Sequence, residues 1–391
     1  MFDNKIATQP ILDSIIIILL SLTYAGISSG IFFGIRVVDI LILVALIYKA
    51  KTKISSITWI LVGLWFVSIA ISTIVGFTGK APYLISDFRF FVIFGLGVLL
   101  ARSLAKNETI NVEYIFYFIL IGTLIIYYII PYLPVIRFYY IPESFQNEEH
   151  KNTVFGPSVI LLNYLYIYLV FKDRNRHFLF YFSYVAAALL IFNLRISRQD
   201  LVIMLLLFAW SIGYRLIYNI KLTYLLIIAV GCIAAVTYLS TTNNDRIRGI
   251  LDPKKDTSFN YRVISNADFM NKFQRASVTE QAFGFGIGST FIFHYNEYLG
   301  VRILNILDNT PLTILLKSGY LGLLLYLLIV LYPMLYLTWH QRLLLLFPIV
   351  LSMFLFNHAL YNVLYIFGLY FVAFKLKADR YYKLNQANNP Q

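Results

Sequence analysis

Five arginines and one aspartate are the side chains of this sequence best suited to polar chemistry, and most of them lie in or beside one polar segment. Residues 241–310 carry eight Lys/Arg and seven Asp/Glu, whereas apolar runs dominate the rest of the chain. The segment contains the run FGFGIGS at 283–289 and ends at the acid–amide pair Asp308-Asn309, where the next apolar run begins. The sequence therefore places its candidate chemistry in this segment and at the helix ends around it.

Two apolar runs begin with strong helix-entry signals. The stretch SRQD at 197–200 has the pattern of a capping box, and DNTP at 308–311 has the pattern of a cap followed by proline in the first turn. A helix N-terminus presents free N–H groups and the positive end of the helix dipole. Both helix starts therefore suit an anion.

The arginines near these helix starts add to that preference. They are Arg195, Arg198, Arg262, Arg275 and Arg302. The planar guanidinium group binds two phosphate oxygens at once, so clustered arginines suit a phosphate or pyrophosphate group. The alternative is that they contact lipid headgroups or pair with acids of the loop, since a basic residue at a helix end is common.

Other polar positions leave alternatives open. Asp308 serves either as a helix cap or as a catalytic group. Gly286 and Gly288 belong to a run with glycine at every second position, which lets backbone approach a ligand or turn tightly. Lys317 lies about 9 Å deeper than the proline of the next helix, where it either reaches outward or faces a wet cavity. No histidines or carboxylates have metal-ligand spacing, so neither a metal nor another cofactor is expected.

The composition is that of a polytopic membrane protein. The chain has 391 residues, of which 60% are apolar and 13% charged, with a mean hydropathy of +0.74. Soluble domains are about 45–50% apolar and about 25% charged. The net charge of +13 is scattered between apolar runs rather than gathered in a basic stripe, which argues against nucleic-acid binding.

Apolar runs of about 15–20 residues, long enough to cross a bilayer as helix, predict an all-α fold with about twelve transmembrane helices. The runs fall near 11–28, 31–48, 57–75, 88–105, 112–131, 154–171, 178–193, 200–217, 222–240, 311–335, 343–357 and 361–375. The shortness of run 343–357 leaves eleven or thirteen spans open.

The charge pattern predicts which side of the membrane each segment occupies. Without loop 241–310, Lys and Arg at span ends number sixteen on one side and seven on the other. The positive-inside rule then places both termini in the cytoplasm and the loop outside. The predicted organisation is nine transmembrane helices over residues 1–240, a large, partly helical outer loop over 241–310, three helices over 311–375, and a cytoplasmic tail over 376–391 that is disordered from Leu384.

The order of these motifs resembles the O-antigen polymerase and O-antigen ligase superfamily. Its pattern is Ser-Arg opening a span, an arginine early in a large outer loop, a Gly-x-Gly-x-Gly run, and a [His or Asp]-Asn pair leading into Leu-x-x-Gly-x-x-Gly. The matching stretches here are SRQDLVIMLLL from 197, Arg262 in NYRVISNADF, FGFGIGS, and DNTPLTILLKSGYLGLLL from 308. The resemblance covers roughly residues 190–335, and the N-terminal half agrees in having multiple spans and a GIRVVDILIL run.

The resemblance implies a GT-C-like integral glycosyltransferase that uses polyprenyl-pyrophosphate-linked glycans on the periplasmic face of the bacterial inner membrane. It implies catalytic roles for Asp308, Arg198 and Arg262. Contacts to the pyrophosphate or the glycan are expected from Arg195, Arg275, Arg302, Asn309, Gly286 and Gly288. Ligases of the family hold a histidine where this chain has Asp308, which favours a polymerase.

The expected reaction joins a growing glycan on undecaprenyl pyrophosphate, the donor, to a lipid-linked repeat unit, the acceptor. Membrane lipid and a chain-length-regulating protein are candidate partners. A ligase would share the donor but transfer once, onto a lipid A core. A lipid-linked oligosaccharide transporter or flippase would instead carry charges near the middle of several spans, for which Asp13, Asp39 and Lys317 are the candidates.

Overall fold

The fold is a bundle of helices. The computed structural model describes residues 3–26, 36–78, 81–129, 157–172, 178–193, 198–218, 257–294, 301–307, 309–355, 360 and 362–388. Up to residue 218 the helices are α1 (Asp3–Gly26), α2 (Val37–Tyr48), α3 (Ser56–Thr78), α4 (Leu84–Leu104), α5 (Val112–Ile129), α6 (Pro157–Lys172), α7 (Phe178–Asn193) and α8 (Arg198–Tyr218). Each coincides with an apolar run, because a helix satisfies its backbone hydrogen bonds internally in an apolar environment. The predicted span 222–240 lies outside the described residues.

The polar segment has secondary structure of its own from Thr257 onward. Its elements are α9 (Thr257–Gln274), α10 (Val278–Phe283) and an antiparallel hairpin of β1 (Phe291–His294) and β2 (Val301–Leu304). In the hairpin, Phe291 pairs with Leu304 and His294 with Val301. The helices agree with a partly helical segment, whereas the hairpin adds strands that the sequence analysis did not predict.

The last part of the chain returns to apolar helix. It forms α11 (Thr310–Leu331), a short 3-10 helix (Tyr332–Tyr336), α12 (Trp339–Leu355) and α13 (Val363–Asn388). Because α13 continues through Asn388, the prediction of disorder from Leu384 is wrong up to that residue. The C-terminal part of α13, residues 375–388 (KLKADRYYKLNQAN), includes Lys, Ala, Leu and Gln, which favour helix, and contains neither glycine nor proline.

Three helices of the described part of the chain are long and apolar enough to cross a membrane. They are Ser56–Phe77, Leu84–Leu104 and Thr310–Tyr336. Six shorter apolar helices accompany them, among them Val112–Ile126 and Val159–Lys172. These helices indicate a helical membrane protein, with fewer full-length spans among the described residues than the twelve that the sequence predicts.

Two helices form the centre of the bundle. Residues 159–170 of α6 and 363–376 of α13 are buried on every face, as expected of helices that are apolar all round. Small residues allow the close contacts around them. A Cβ on Gly368 would lie 2.4 Å from the ring of Tyr164.

Charged side chains meet at one end of this bundle. Lys49 Nζ lies 2.6 Å from the buried Asp13 carboxylate, which also accepts a 2.7 Å hydrogen bond from Asn107 Nδ2. Lys375 Nζ donates to the Asn107 carbonyl at 2.5 Å. These contacts join residues of α1 and α13 to the segments that follow α2 and α4. At the opposite ends of α2 and α4, Arg89 lies 3.5 Å from the Asp39 carboxylate.

Candidate functional site

The glycine run Phe283–Ser289 lies between membrane helices rather than at the surface. The Ile287 amide donates to the Ser72 carbonyl of α3 at 2.9 Å, and the Phe285 amide donates to the Leu316 carbonyl of α11 at 2.8 Å. Irregular backbone at membrane depth is stable only where protein or a water-filled cavity satisfies its polar groups. Here the two helices supply those partners.

Two glycines of the run pack directly on helix backbone. A Cβ on Gly286 would lie 2.2 Å from the Gly76 nitrogen in α3, and one on Gly288 would lie 2.4 Å from the Leu84 nitrogen at the start of α4. Their φ angles of 97° and 82° are also in the region that favours glycine. Both glycines are therefore required for the close approach of the run to the helices, and their predicted contact with substrate stays a prediction.

Helix α11 is broken where the glycine run meets it. Gly319 has φ 63° and ψ −163° inside the helix, and a Cβ there would lie 2.5 Å from the Ala282 carbonyl oxygen and the Gly284 nitrogen. A regular helix would pair the Leu316 carbonyl with the amide four residues later. In α11 the Phe285 amide of the glycine run donates to that carbonyl from outside the helix. The break and the run therefore form one interlocked unit.

A buried ion pair lies beside this unit. Lys317 Nζ and the Asp87 carboxylate are 2.6 Å apart, and both side chains are fully buried. Lys317 Nζ also donates to the Ser289 carbonyl at 2.5 Å and to Asn305 Oδ1 at 2.6 Å. An ammonium group has three donors, and all three have acceptors here. This full burial against three protein acceptors differs from both expectations for Lys317, reaching outward and facing a wet cavity.

The Asp87 carboxylate is satisfied as completely as the lysine. Its Oδ2 accepts from the Gly288 amide at 3.1 Å, and its Oδ1 accepts from Asn305 Nδ2 at 3.2 Å. We call these four residues, Asp87, Lys317, Ser289 and Asn305, the anchor network. It joins the first turn of α4, the N-terminal half of α11, the glycine run and the residue after β2. Its chemistry is that of a fixed support rather than of a free acid or base.

An aromatic core attaches the rest of the polar segment to α11. The buried members of this core are Phe269, Phe273, Phe291, Phe293, Leu307, Leu315 and Leu316. The Phe269 ring lies 5.6 Å from that of Phe291, and the Phe273 ring lies 5.4 Å from that of Tyr320. Burying one such side chain stabilises a fold by about 1.5–3 kcal/mol. Helix α9 and the hairpin are therefore packed against α11 as one folded unit.

The start of α11 is capped as the DNTP pattern predicts, but by Asn309 rather than by Asp308. Asn309 is the N-cap residue, its Oδ1 accepts from the Leu312 amide at 3.1 Å, and Pro311 lies in the first turn. Thr313 Oγ1 both donates to the Leu307 carbonyl and accepts from the Leu307 amide, at 3.0 and 3.1 Å. Since Asn309 fills the cap position, the helix does not need the preceding Asp308 as its N-cap.

Several predicted site residues have side chains outside the described part of the chain: Arg195, Arg198, Arg302 and Asp308. By backbone position, Arg198 begins α8 as the capping pattern predicts, and Arg302 lies in β2 opposite Phe293. The proposed meeting of Arg198, Arg262 and Asp308 stays a prediction.

Arg262 and Arg275 lie at opposite ends of α9. Arg262 is half-buried near its start, and Arg275 is exposed one residue past its end. The thirteen positions between them correspond to about 20 Å of helix. One diphosphate group cannot contact both side chains at once from this helix.

The sequence analysis missed Asp87 and Asn305. A signal for Asp87 was present, because a lone acid near the start of one apolar run and a lone lysine within another suggest a buried pair. Asn305 carried no such signal, since its role depends on the position of the hairpin.

Comparison with known proteins assigns the chain to no family. No protein-family model matches the sequence, and no curated protein matches it. The functional conclusion therefore depends on motif order and on the geometry above.

Proposed function

We propose that the protein is an O-antigen or related surface-polysaccharide polymerase, which joins undecaprenyl-pyrophosphate-linked repeat units on the periplasmic face of the bacterial inner membrane. The proposal includes about twelve spans, both termini in the cytoplasm and loop 241–310 outside. Motif order supports it, as does the charge pattern of the span ends. The observation that carries it is the packing of α9, the helix of Arg262, against α11 beside a capped helix start.

The order of contacts along α9 and α11 supports a position for Arg262 near that helix start. Phe273 of α9 contacts Tyr320 of α11 directly. Phe269, earlier in α9, contacts Phe291 of β1. The partner strand β2 leads on to Leu307, which hydrogen-bonds to Thr313, earlier in α11. Because the earlier residue of α9 is linked to the earlier residue of α11, we infer that the helices run in the same direction. Arg262 precedes Phe273 by eleven residues on α9, and Thr310 precedes Tyr320 by ten residues on α11. Arg262 therefore lies close to the level of Thr310.

This arrangement suits a diphosphate leaving group. Free N–H groups and the dipole of α11 favour negative charge at its start, and a guanidinium group adds paired donors. Fixed positive groups of this kind stabilise charge that develops in a transition state. Arg275, at the other end of α9, would contact the glycan rather than the same diphosphate.

In the proposed reaction, a hydroxyl oxygen of the acceptor sugar attacks the anomeric carbon of the donor glycan. The new glycosidic C–O bond forms as the bond between that carbon and the pyrophosphate oxygen breaks, and undecaprenyl pyrophosphate leaves. Asp308 takes the hydroxyl proton. A carboxylate is too weak a base to remove that proton beforehand, so its transfer accompanies the attack.

The pairing of buried charges favours this proposal over a transporter or flippase. Asp13 pairs with Lys49, Asp39 with Arg89, and Lys317 with Asp87. A substrate path across the membrane would call for charged groups available to the cargo. These three pairs, all among the described residues, are instead closed within the protein, which supports a site for chemistry at the outer face.

The test is a polymerisation assay with purified protein in liposomes, given synthetic undecaprenyl-pyrophosphate-linked repeat units alone. A polymerase yields a ladder of product lengths, whereas a ligase yields no product until a lipid A core is added. A protein that only moves the lipid across the bilayer leaves the repeat units unjoined, which would defeat the proposal.

Arg262→Ala should lower kcat in this assay by about 100–1000-fold, the usual loss when one transition-state donor is removed. Arg275→Ala is the matched control on the same helix, and we expect a much smaller loss because of its distance from the start of α11. Asp308→Asn should also abolish the ladder. Equal activity of the Arg262 and Arg275 variants would contradict the assignment of Arg262.

A further inference from the structure

A second cationic site lies at the other end of the bundle. A cleft of about 420 Å³ opens between the end of α4, the short 3-10 helix and α13. Four cations line it, Arg102, Lys106, Lys377 and Arg380, against one carboxylate, Glu108. These cations belong to the span ends that the charge pattern assigns to the cytoplasm, so the cleft is remote from the proposed reaction.

Aromatic rings, rather than acids, hold two of these cations. The Arg102 guanidinium carbon lies 3.9 Å from the centre of the Phe374 ring, and Lys377 Nζ lies 3.5 Å from the centre of the Tyr336 ring. A ring face attracts a cation without using its N–H groups. Arg102 Nε is buried and has no hydrogen-bond partner among the described residues. Arg102 therefore keeps at least one donor, Nε, that no described residue accepts from.

Carboxylates do not neutralise the cleft. Within the part of the chain that the structure describes, none of the four cations forms an ion pair. The acid next to Arg380 in sequence, Asp379, accepts a 2.7 Å hydrogen bond from Tyr168 of α6. Burial and the positive charge of Arg102 lower the pKa of Lys377. Four cations are thus crowded here against the single carboxylate of Glu108.

We propose that this cleft binds a phosphate-bearing headgroup, supplied by an anionic lipid of the inner leaflet. Arginine and lysine together suit phosphate oxygens, the first by paired donors and the second as a point charge. Basic pockets between helix ends on the cytoplasmic side are typical sites for anionic lipids. The volume is in the range of small-molecule sites, so a headgroup fits while its chains extend outward.

Exposed apolar residues beside the cleft favour a lipid over a soluble phosphate compound. Leu335, next to Tyr336 in the 3-10 helix, is 70% exposed, and Trp339 just beyond it is 66% exposed. Tryptophan is enriched at the membrane–water interface. An acyl chain attached to a headgroup in the cleft would therefore find apolar surface adjacent to it.

The experiment measures lipid retention by native mass spectrometry of the full-length protein in detergent. Phosphatidylglycerol is the probe, with phosphatidylcholine as the neutral-headgroup comparison and inorganic pyrophosphate as a soluble competitor. Arg102→Gln/Lys377→Gln should weaken phosphatidylglycerol binding about thirtyfold, the equivalent of about 1 kcal/mol for each cation near an anionic headgroup. Lys51→Gln/Lys172→Gln, exposed cations outside the cleft, removes the same charge and should retain the lipid.

The outcomes separate the two sources of phosphate. Loss of the lipid in the cleft variant alone, with no displacement by pyrophosphate, supports a lipid headgroup. Displacement by pyrophosphate in the unmodified protein, absent in the cleft variant, supports a phosphate site filled from solution. Equal lipid retention by the cleft and control variants overturns the proposal. Should Arg102→Gln fail to fold, Lys377→Gln/Arg380→Gln serves in its place, since Arg380 is exposed.

Discussion

Removing the buried lysine of the anchor network gives the sharpest test of how the polar segment is held against the helices. In Lys317→Met the Asp87 carboxylate stays fully buried but retains only two neutral donors, the Gly288 amide and Asn305 Nδ2. Breaking a buried pair by removing one partner costs about 3–5 kcal/mol, because the remaining charge is uncompensated. The local opening of the glycine run should therefore become easier by about that amount.

Hydrogen–deuterium exchange of the purified protein reports that opening. The Phe285 and Ile287 amides hydrogen-bond to helix carbonyls and should exchange at least about a hundredfold faster in Lys317→Met than in the unmodified protein. Asp268→Ala is the control, since it removes an exposed ion pair with Lys272 of a kind worth about 0.2–1 kcal/mol. Its effect on the same amides should be small.

A second substitution decides whether charge is the cause. Asp87→Asn in the Lys317→Met background removes the uncompensated carboxylate while leaving an oxygen to accept from the Gly288 amide. We expect this double variant to recover part of the lost protection. If the double variant exchanges faster than Lys317→Met, the lost stability comes from packing and not from an unpaired charge, and the reasoning is refuted.

Two further predictions concern the same segment. Gly319→Ala places a Cβ 2.5 Å from the Ala282 backbone at a φ of 63°, so it should abolish the folded, monodisperse peak on size-exclusion chromatography. Gly63→Ala is the control, since its Cβ would have nothing within 4 Å, and it should leave that peak unchanged. Hydrogen bonds from Ser277 lower the pKa of Glu280, so this cap of α10 contributes fully above the unfolded-state pKa and is lost as pH falls through the folded-state pKa. Acidification should therefore speed amide exchange in residues 278–284, corrected for intrinsic rates, and Glu280→Gln should remove that dependence.

Local signals account for the parts of the fold that were predicted from sequence. The start of α11 depends on Asn309 and Pro311, whose preferences act within one turn. The structure has the helix start and the proline where the pattern predicts them, with the cap one residue later than Asp308. The starts and ends of most apolar helices follow for the same reason, because the length and composition of each run decide them. The C-terminal end of α13 was wrong because its polar composition was weighed above its helix-forming residues.

The anchor network required information that no local pattern holds. Asp87 and Lys317 are 230 positions apart, and their pairing depends on the glycine run entering between α3, α4 and α11. Glycine spacing alone indicated a close backbone approach, but it left open whether the neighbour was a ligand or a helix. At Gly286 and Gly288 the neighbour is helix backbone.

The long separation of the anchor partners has a consequence for biogenesis. Ribosomes add about 5–20 residues each second, so Asp87 enters the membrane on the order of ten to fifty seconds before Lys317 is made. During that interval we expect the carboxyl to be protonated or to stay near the headgroups, since an unpaired charge is costly in lipid. A nascent chain halted before α11 would leave Asp87 without its lysine partner. We expect membrane proteases to distinguish such truncated chains from complete ones by this unpaired acid.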